Sequence, residues 1–401
     1  MPLPSLVSLN LAFIDRVNSD ILRGSLEQAS KFSPNISELW IQVHRRDTSL
    51  SKFLSGCVCR WRNLQTLFCS GIALDKDALV NLSRISALTQ LTFLLNDTSV
   101  GEITSSALPF VFSNLHYFTL YSEFLDLTSR CLSRLQLPAI TDFAAIVSNC
   151  PSKLDVSSFL ASLQTLGADH TIQRLELYHE ITSYNPYIGI DSQHVLTLED
   201  LQPCMAFTNL RSMYLDIGWD VGLTSSDLLK LALAWPSLED LVINREWGWN
   251  TPSGISPHGL LQLLRTCRSL NRIALAIDTR GYTEFFPSSS SVELSLPTTF
   301  SINVVDSVIL EEAVAATASF LASIAPCPDF SFSAWMCPLK SGSETGSLYW
   351  KRWDDVYEQA RDAISKCLHT AFSSLMTPRI THAGRAGDKS SASIAGLGHG
   401  S

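Results

Sequence analysis

Residues 210–243 read LRSMYLDIGWDVGLTSSDLLKLALAWPSLEDLVI, one complete structural phrase followed by the start of the next. In Leu210-Arg-Ser-Met213-Tyr-Leu215 the alternation sends Met213 and Leu215 to one side and Ser212, Tyr214 and Asp216 to the other, as in a half-buried strand. The residues after it predict a helix. Ser225 or Ser226 offers the N-cap, Leu228, Leu229, Leu231, Ala232 and Leu233 form the apolar side, and Trp235-Pro236 ends the helix. A new strand then opens at Leu238. Residues 251–277, TPSGISPHGLLQLLRTCRSLNRIALAI, follow the same plan, with a helix over Gly259–Cys267 and the turn and strand over Leu270–Ile277.

Read outward from there, Leu-x-x-Leu-x-Leu or a close apolar variant starts at residues 6, 36, 64, 88, 115, 140, 172, 210, 238 and 270, at intervals of 24 to 38 residues. Fainter copies stand at Phe300-Ile302-Val304 and Phe330-Phe332. A period of this length with this phrase is that of leucine-rich repeats. The expected fold is α/β: a leucine-rich-repeat solenoid, curved like a horseshoe, with parallel inner strands and outer helices. Solenoids grow by adding repeats, so 401 residues need not divide into separate globular domains. The solenoid is expected over 1–335 and a C-terminal helical cap over 336–376. The cap stripe is Trp353, Val356, Tyr357, Ala360, Ile364, Cys367 and Leu368, at helical spacing. The Gly- and Ser-rich residues 377–401 read as a disordered tail. At the other end the first strand follows Met1 closely, with no cap before it, so a lost upstream domain or an earlier start is expected.

Composition excludes several classes of function. Apolar residues make up 46% of the chain and charged ones 17%, which suits a large buried core. A net charge of -9 offers no general attraction to nucleic acid or to an anionic membrane surface. No apolar run reaches the eighteen or so residues of a membrane span, and MPLPSLVSLNLAF lacks the basic leader of a signal peptide. Cys69 replaces a strand leucine, while Cys150 and Cys267 close helical segments. These positions call for a small apolar residue rather than a disulfide. A reduced, intracellular protein is expected, cytoplasmic or nuclear, in which the sequons at Asn35, Asn81 and Asn96 go unused.

Catalytic signatures are missing. GxxxxGKS/T, GxGxxG, HExxH and GxSxG do not occur. Cys57-Val-Cys59 has the wrong spacing for a zinc knuckle, the nine histidines fall singly, and Asp354-Asp355 point to different sides of one helix. No cofactor, no metal and no enzymatic activity are expected. An enzyme with an unrecognised site would need a deep pocket with convergent polar groups.

The inner face carries the functional expectation. Glu38, Trp40, Phe68, Tyr117, Tyr121, Arg174, Glu176, Tyr178, Tyr214 and Asp216 alternate out of the strands, and aromatics interleaved with charges match the composition of protein interfaces. Aromatics also favour strands and stabilise one another across rows, so only the set, not any one residue, points to binding. From Asp240 onward the same face becomes Val242, Asn244, Arg272 and Ala274, a less adhesive surface. Two loops offer rim insertions: Ser183–Asp191, and Asn244–Pro252 with Trp247 and Trp249, whose indoles are expected to fold over the neighbouring repeat. The serine-rich segment 288–299 reads as a connecting loop.

The run from Asp227 to Leu241 and the form Thr266-Cys267-Arg-Ser-Leu270 resemble the cysteine-containing leucine-rich repeats of F-box proteins. Ile302-Asn-Val-Val-Asp306-Ser307, the alanine-rich helix to Ile324, Ala334-Trp335 and Trp350-Lys-Arg-Trp353-Asp-Asp-Val356 are similar, in that order, to the closing segment of an F-box-like family expanded in mushroom-forming fungi. The resemblance covers about residues 1–370. It implies a substrate receptor of a cullin ubiquitin ligase, with a protein substrate on the concave face and a ligase adaptor as second partner if an F-box lies upstream. An F-box precedes the repeats in that family and is absent from these residues. A free-standing scaffold that keeps the receptor surface is the alternative.

Overall fold

The computed structural model describes residues 6–13, 19–43, 50–166, 168, 170–180, 194–283, 300–325, 330–335 and 344–376. The loop at Ser183–Asp191, segment 288–299 and the tail 377–401 lie outside the described residues. The fold is α/β, built on one parallel sheet of twelve strands that follow chain order from edge to edge. They are β1 (Ser8–Phe13), β2 (Glu38–Val43), β3 (Thr66–Ala73), β4 (Gln90–Leu94), β5 (Tyr117–Ser122), β6 (Asp142–Val147), β7 (Arg174–His179), β8 (Ser212–Asp216), β9 (Asp240–Ile243), β10 (Arg272–Ala274), β11 (Ser301–Asn303) and β12 (Ser331–Ser333). Eleven α-helices lie among the described residues: α1 (Ser19–Phe32), α2 (Ser51–Val58), α3 (Lys76–Ser83), α4 (Asp97–Thr104), α5 (Leu125–Leu132), α6 (Lys153–Gln164), α7 (Leu198–Leu201), α8 (Ser225–Ala234), α9 (Pro257–Thr266), α10 (Val314–Ile324) and α11 (Glu344–Met376).

The repeated phrase sets the register. Leu67, Leu91, Phe118, Phe143, Leu175, Met213, Leu241 and Ile273 stand side by side on successive strands, and Cys69, Phe93, Leu120, Ala145, Leu177, Leu215 and Ile243 form a second row. Both rows are buried in one continuous core with the helices, since a period of two puts every second side chain on the same face. Where leucine gives way to phenylalanine the rings pack in sequence: Phe93 on Phe118 at 6.0 Å, Phe118 on Phe143 at 5.8 Å and Phe143 on Phe159 of α6 at 5.9 Å. From Ile36 to Leu270 the first apolar residue of each phrase is buried in the turn before the strand. Just past it, two consecutive amides donate to one carbonyl of the preceding repeat. Val7, Ser37, Gln65, Thr89, His116, Thr141, Gln173, Arg211 and Glu239 each supply such a carbonyl, so the chain re-enters the sheet at the same height nine times.

Helix starts are set by short polar side chains. Asp75 accepts from the Ala78 amide at 2.9 Å, and Asn96 with Ser99, Ser152 with Asp155, and Thr224 with Asp227 form reciprocal capping boxes. At α8 the cap is Thr224, not Ser225 or Ser226. The Ser225 hydroxyl is committed to the next repeat, accepting from the Ser256 amide at 3.0 Å. Leu228, Leu231 and Ala232 face the core as expected, whereas Leu233 points to solvent. Helix ends are tied back to the preceding repeat. The Trp61 indole donates to the Ser33 carbonyl at 3.1 Å, the Trp235 indole to the Cys204 carbonyl at 3.1 Å, and the Cys267 thiol lies 3.4 Å from the Trp235 carbonyl.

Adjacent helices approach closely where α9 begins. A Cβ on Gly259 would lie 2.3 Å from the Ser225 hydroxyl and 3.1 Å from its Cα, while one on Gly101 of α4 would meet nothing within 4 Å. We expect Gly259→Ala to cost about 1–3 kcal/mol by forcing α8 and α9 apart. Gly101→Ala should raise stability by about 0.5–1 kcal/mol through helix propensity. Urea denaturation of the two variants checks both signs.

At the C-terminal end α11 lies along β12 and α10. Trp353, Val356, Ala360 and Ile364 are buried, and Tyr357 stacks on Phe332 at 5.5 Å. Cys367 and Leu368, expected on the same stripe, are exposed, because the helix has run past the strand it covers.

Candidate functional site

The core rows occupy one face of the sheet, and the alternate side chains form three rows on the other. The first runs Glu38, Thr66, Gln90, Tyr117, Asp142, Arg174, and the middle one Trp40, Phe68, Thr92, Thr119, Ala144, Glu176, Tyr214. The third runs Tyr121, Ile146, Tyr178, Asp216. Trp40 and Phe68 stack at 5.0 Å with 23° between their planes, both half-buried. Small side chains follow on β4 to β6. Beyond them Tyr178 and Tyr214 meet at 6.2 Å, tilted by 53°. Trp40 and Tyr214 lie six strand spacings apart, about 29 Å at the usual interval, so the predicted residues form two aromatic patches along one surface. Tyr117, 51% exposed, and the exposed Glu38 and Arg174 line its first row.

Charges on this face are partly matched within it. The Arg174 guanidinium lies 3.1 Å from Asp142 and 3.9 Å from Glu176, and Arg272 lies 3.9 Å from Asp240. Burial raises the Glu176 carboxyl above the usual range, opposed by Arg174 and reinforced by Asp142. Burial likewise raises the phenols of Tyr121, Tyr178 and Tyr214, helped by nearby carboxylates: Glu180 and Glu176 at Tyr121, and Asp216 and Glu246 at the other two.

Asp216, expected on the exposed face, is fully buried. The loop after β9 covers it. The Glu246 amide donates to its Oδ2 at 3.0 Å, the Tyr214 hydroxyl lies 3.4 Å from the same oxygen, the Trp247 amide stands nearby, and its Oδ1 has no hydrogen-bond partner among the described residues. Loss of water pushes this carboxyl up to about 7. The same loop turns at Asn244, whose φ of 49° is left-handed. The Asn244 side chain accepts from the Ile217 amide at 3.0 Å and donates to the Trp219 carbonyl, which holds the turn. Trp247 then stacks flat on the buried His179 ring at 4.6 Å, and burial holds that imidazole down to about 4. The Trp249 indole donates to the Ile243 carbonyl at 2.9 Å, and the Asp306 carboxylate receives the Trp249 and Asn250 amides. The two tryptophans are packing residues, so this loop presents no aromatic rim. Val242, Asn244 and Ala274 are buried, whereas Asp240 is half-buried and Arg272 exposed, so from β9 onward the middle of the face is covered and its first row stays open.

Thiol chemistry finds no support in the core cysteines. Burial pushes Cys131 and Cys204 up to about 12 and Cys267 up to about 11, far from a reactive thiolate. Among the described residues no group of three or more His, Cys, Asp or Glu could hold a metal ion, and no helix is long and apolar enough to cross a membrane. A cavity of about 140 Å³ lies at the strand ends near Ser253, Asp278, Arg280, Asp306 and Trp335. Its charged groups already serve the fold: Arg280 grips Asp278 with two hydrogen bonds, at 2.9 and 3.0 Å, and Asp306 holds the Trp249 loop.

Comparison with protein-family models gives no match for this chain, and comparison with curated proteins gives none either.

Two features of the face did not follow from the alternation of residues. Glu180 and Glu246 add carboxylates beside the tyrosines from beyond the strand ends, where period-two reading stops. Thr92, Thr119 and Ala144 separate the Trp40–Phe68 pair from Tyr214 along the middle row; their signal is the small side chains at that position of β4 to β6.

Proposed function

We propose that this chain is a leucine-rich-repeat solenoid that recognises a protein through the open sheet face of β2 to β8. Its specific role is that of a substrate-receptor-like component of a cullin ubiquitin ligase. The observation that carries the reading is the face itself. Trp40, Phe68, Tyr117, Tyr121, Tyr178 and Tyr214 stand half-buried or exposed on a rigid sheet, interleaved with Glu38, Arg174 and Glu176, while the opposite face is closed by helices. Rigid aromatics in a polar surround lose little entropy on binding and supply most hot spots of protein interfaces. One strand per repeat, in chain order with a constant turn bond, supports the solenoid reading. The ligase role rests on the resemblance of Asp227–Leu241, Thr266–Leu270 and the 302–356 segment to F-box-like repeat proteins.

The test is capture from cells carrying the native gene tagged at its C-terminus, comparing wild type with the triple variant Trp40→Ala, Tyr117→Ala, Tyr178→Ala. We expect the triple variant to keep its thermal midpoint within a few degrees and to lose its partner by 100-fold or more, since hot-spot truncations cost about 1–3 kcal/mol each. Undiminished capture would show that the face is not the binding surface. Recovery of the cullin adaptor with the wild type supports the ligase role, while specific partners without the adaptor leave a free-standing recognition scaffold.

A further inference from the structure

The second aromatic patch has a charge that its neighbours do not balance. Around Tyr121, Tyr178 and Tyr214 stand four carboxyl groups, Glu176, Glu180, Asp216 and Glu246, and one guanidinium, Arg245, while Arg174 reaches in from the first row between Asp142 and Glu176. Arg174 lies nearest Asp142, at 3.1 Å, and Arg245 sits 3.5 Å from Glu246. Arg174 is thus shared between Asp142 and Glu176 and Arg245 is engaged at Glu246, so the carboxyl groups beside the tyrosines outnumber the guanidiniums that reach them and the ground between is negative. The three phenols register this field, each held above its ordinary value by burial and then by these same carboxylates. Beside Tyr178 in the same row Asp216 is fully buried, and its Oδ1 has no hydrogen-bond partner within bonding geometry among the described residues. The rings of Tyr178 and Tyr214 diverge by 53° at a centroid separation of 6.2 Å, so a planar cation can lie against either ring within cation–π range.

We propose that the Tyr121–Tyr178–Tyr214 patch seats an arginine side chain of the bound protein, its guanidinium against the rings and its charge answered by Glu176 and Glu180. This deepens the recognition reading and rests on it. Ring faces carry negative potential and attract cations, and a guanidinium is planar, weakly hydrated and able to stack while donating to a carboxylate. An acidic partner segment would meet uncompensated repulsion here, so the patch also selects against it. The Trp40–Phe68 pair on β2 and β3 has no comparable carboxylate cluster among the described residues and takes the apolar part of the same partner.

Titration calorimetry of the full chain with three peptides tests this: acetyl-(Gly-Arg-Ser)4-amide, the same peptide with citrulline for arginine, and the same with glutamate. The wild type should bind the arginine peptide at least about tenfold more tightly than the citrulline one and give no heat with the glutamate one. Glu176→Gln with Glu180→Gln, and separately Tyr178→Ala, should each weaken the arginine peptide about tenfold. Glu358→Gln with Asp362→Asn on α11, removing two acidic charges elsewhere, should change it less than twofold; circular dichroism confirms that each variant is folded. Equal binding of arginine and citrulline peptides, no binding of either, or an equal loss in the α11 variant would each overturn the proposal. Partner capture that still depends on the open face would then leave the recognition reading standing, whereas capture indifferent to the face removes that reading whatever the peptides do.

Discussion

Trp353→Ala is expected to cost about 3–5 kcal/mol, more than truncation of any other side chain on α11. The indole is fully buried and packs on Phe332 of β12 at 5.9 Å. Its Nε1 donates to the Ser307 carbonyl at 2.9 Å, and the Trp335 indole donates to that same oxygen at 2.7 Å. Alanine leaves both a large void and half of this carbonyl's hydrogen bonding unmade. In a sheet whose strands pair only with their neighbours, the end is where cohesion is weakest, so loosening α11 exposes β12 and then β11. Urea denaturation should show the lower midpoint, and hydrogen exchange should speed first at residues 300–335. Trp353→Phe keeps most of the volume and should lose about 1–2 kcal/mol. Trp350→Ala, at a half-exposed position on the same helix, should change stability by under about 0.5 kcal/mol.

The pair that grips Trp247 should make stability nearly flat with pH in the wild type and steep in either single variant. Asp216 has a folded pKa raised to about 7, so the folded state holds its proton more tightly than the unfolded chain. Its contribution is complete below the ordinary carboxylate range and is lost as pH rises through 7. His179 is the reverse, held neutral down to about 4: its contribution is complete above the ordinary imidazole range and is lost as pH falls through 4. Each effect is on the order of 3 kcal/mol, and between pH 4 and 6.5 the two slopes oppose each other. Asp216→Asn keeps an acceptor for the Glu246 amide but removes the titration, so stability should rise with pH from 4 to 6.5 and exceed the wild type at pH 8. His179→Phe keeps the stack on Trp247, and its stability should fall from pH 4 to 7. Chemical denaturation at four pH values checks both. Parallel curves for wild type and Asp216→Asn would show that this carboxyl does not titrate in the folded range.

Much of this structure is legible in the chain because its physics is local. Alternation with period two placed Leu67, Leu91, Leu175 and Leu241 on the buried face, and the spacing of Leu-x-x-Leu-x-Leu separated one strand from the next. Burial by distant residues is not local. Asp216 lies on the side that alternation assigns to solvent, yet it is covered by Glu246 and Trp247, thirty residues along the chain, after a left-handed turn at Asn244. The residue order points to Ser225 or Ser226 as the α8 cap, but Thr224 holds it in a reciprocal box with Asp227, and Ser225 instead accepts from the Ser256 amide. Leu233, Cys367 and Leu368 fit an apolar stripe in sequence but face water, because a helical pattern does not state where its partner surface ends. The aromatic face was legible as a set, and its division into a Trp40–Phe68 pair and a tyrosine–carboxylate patch required the register.

Photo-crosslinking from the sheet face tests the central claim most directly. With p-benzoylphenylalanine at Tyr117, 51% exposed on β5, or at Leu233, 67% exposed on the helical side, irradiation in cells should join the partner to position 117 and leave position 233 unmodified. Crosslinks from position 233 without any from 117 would place recognition on the helices and contradict the account.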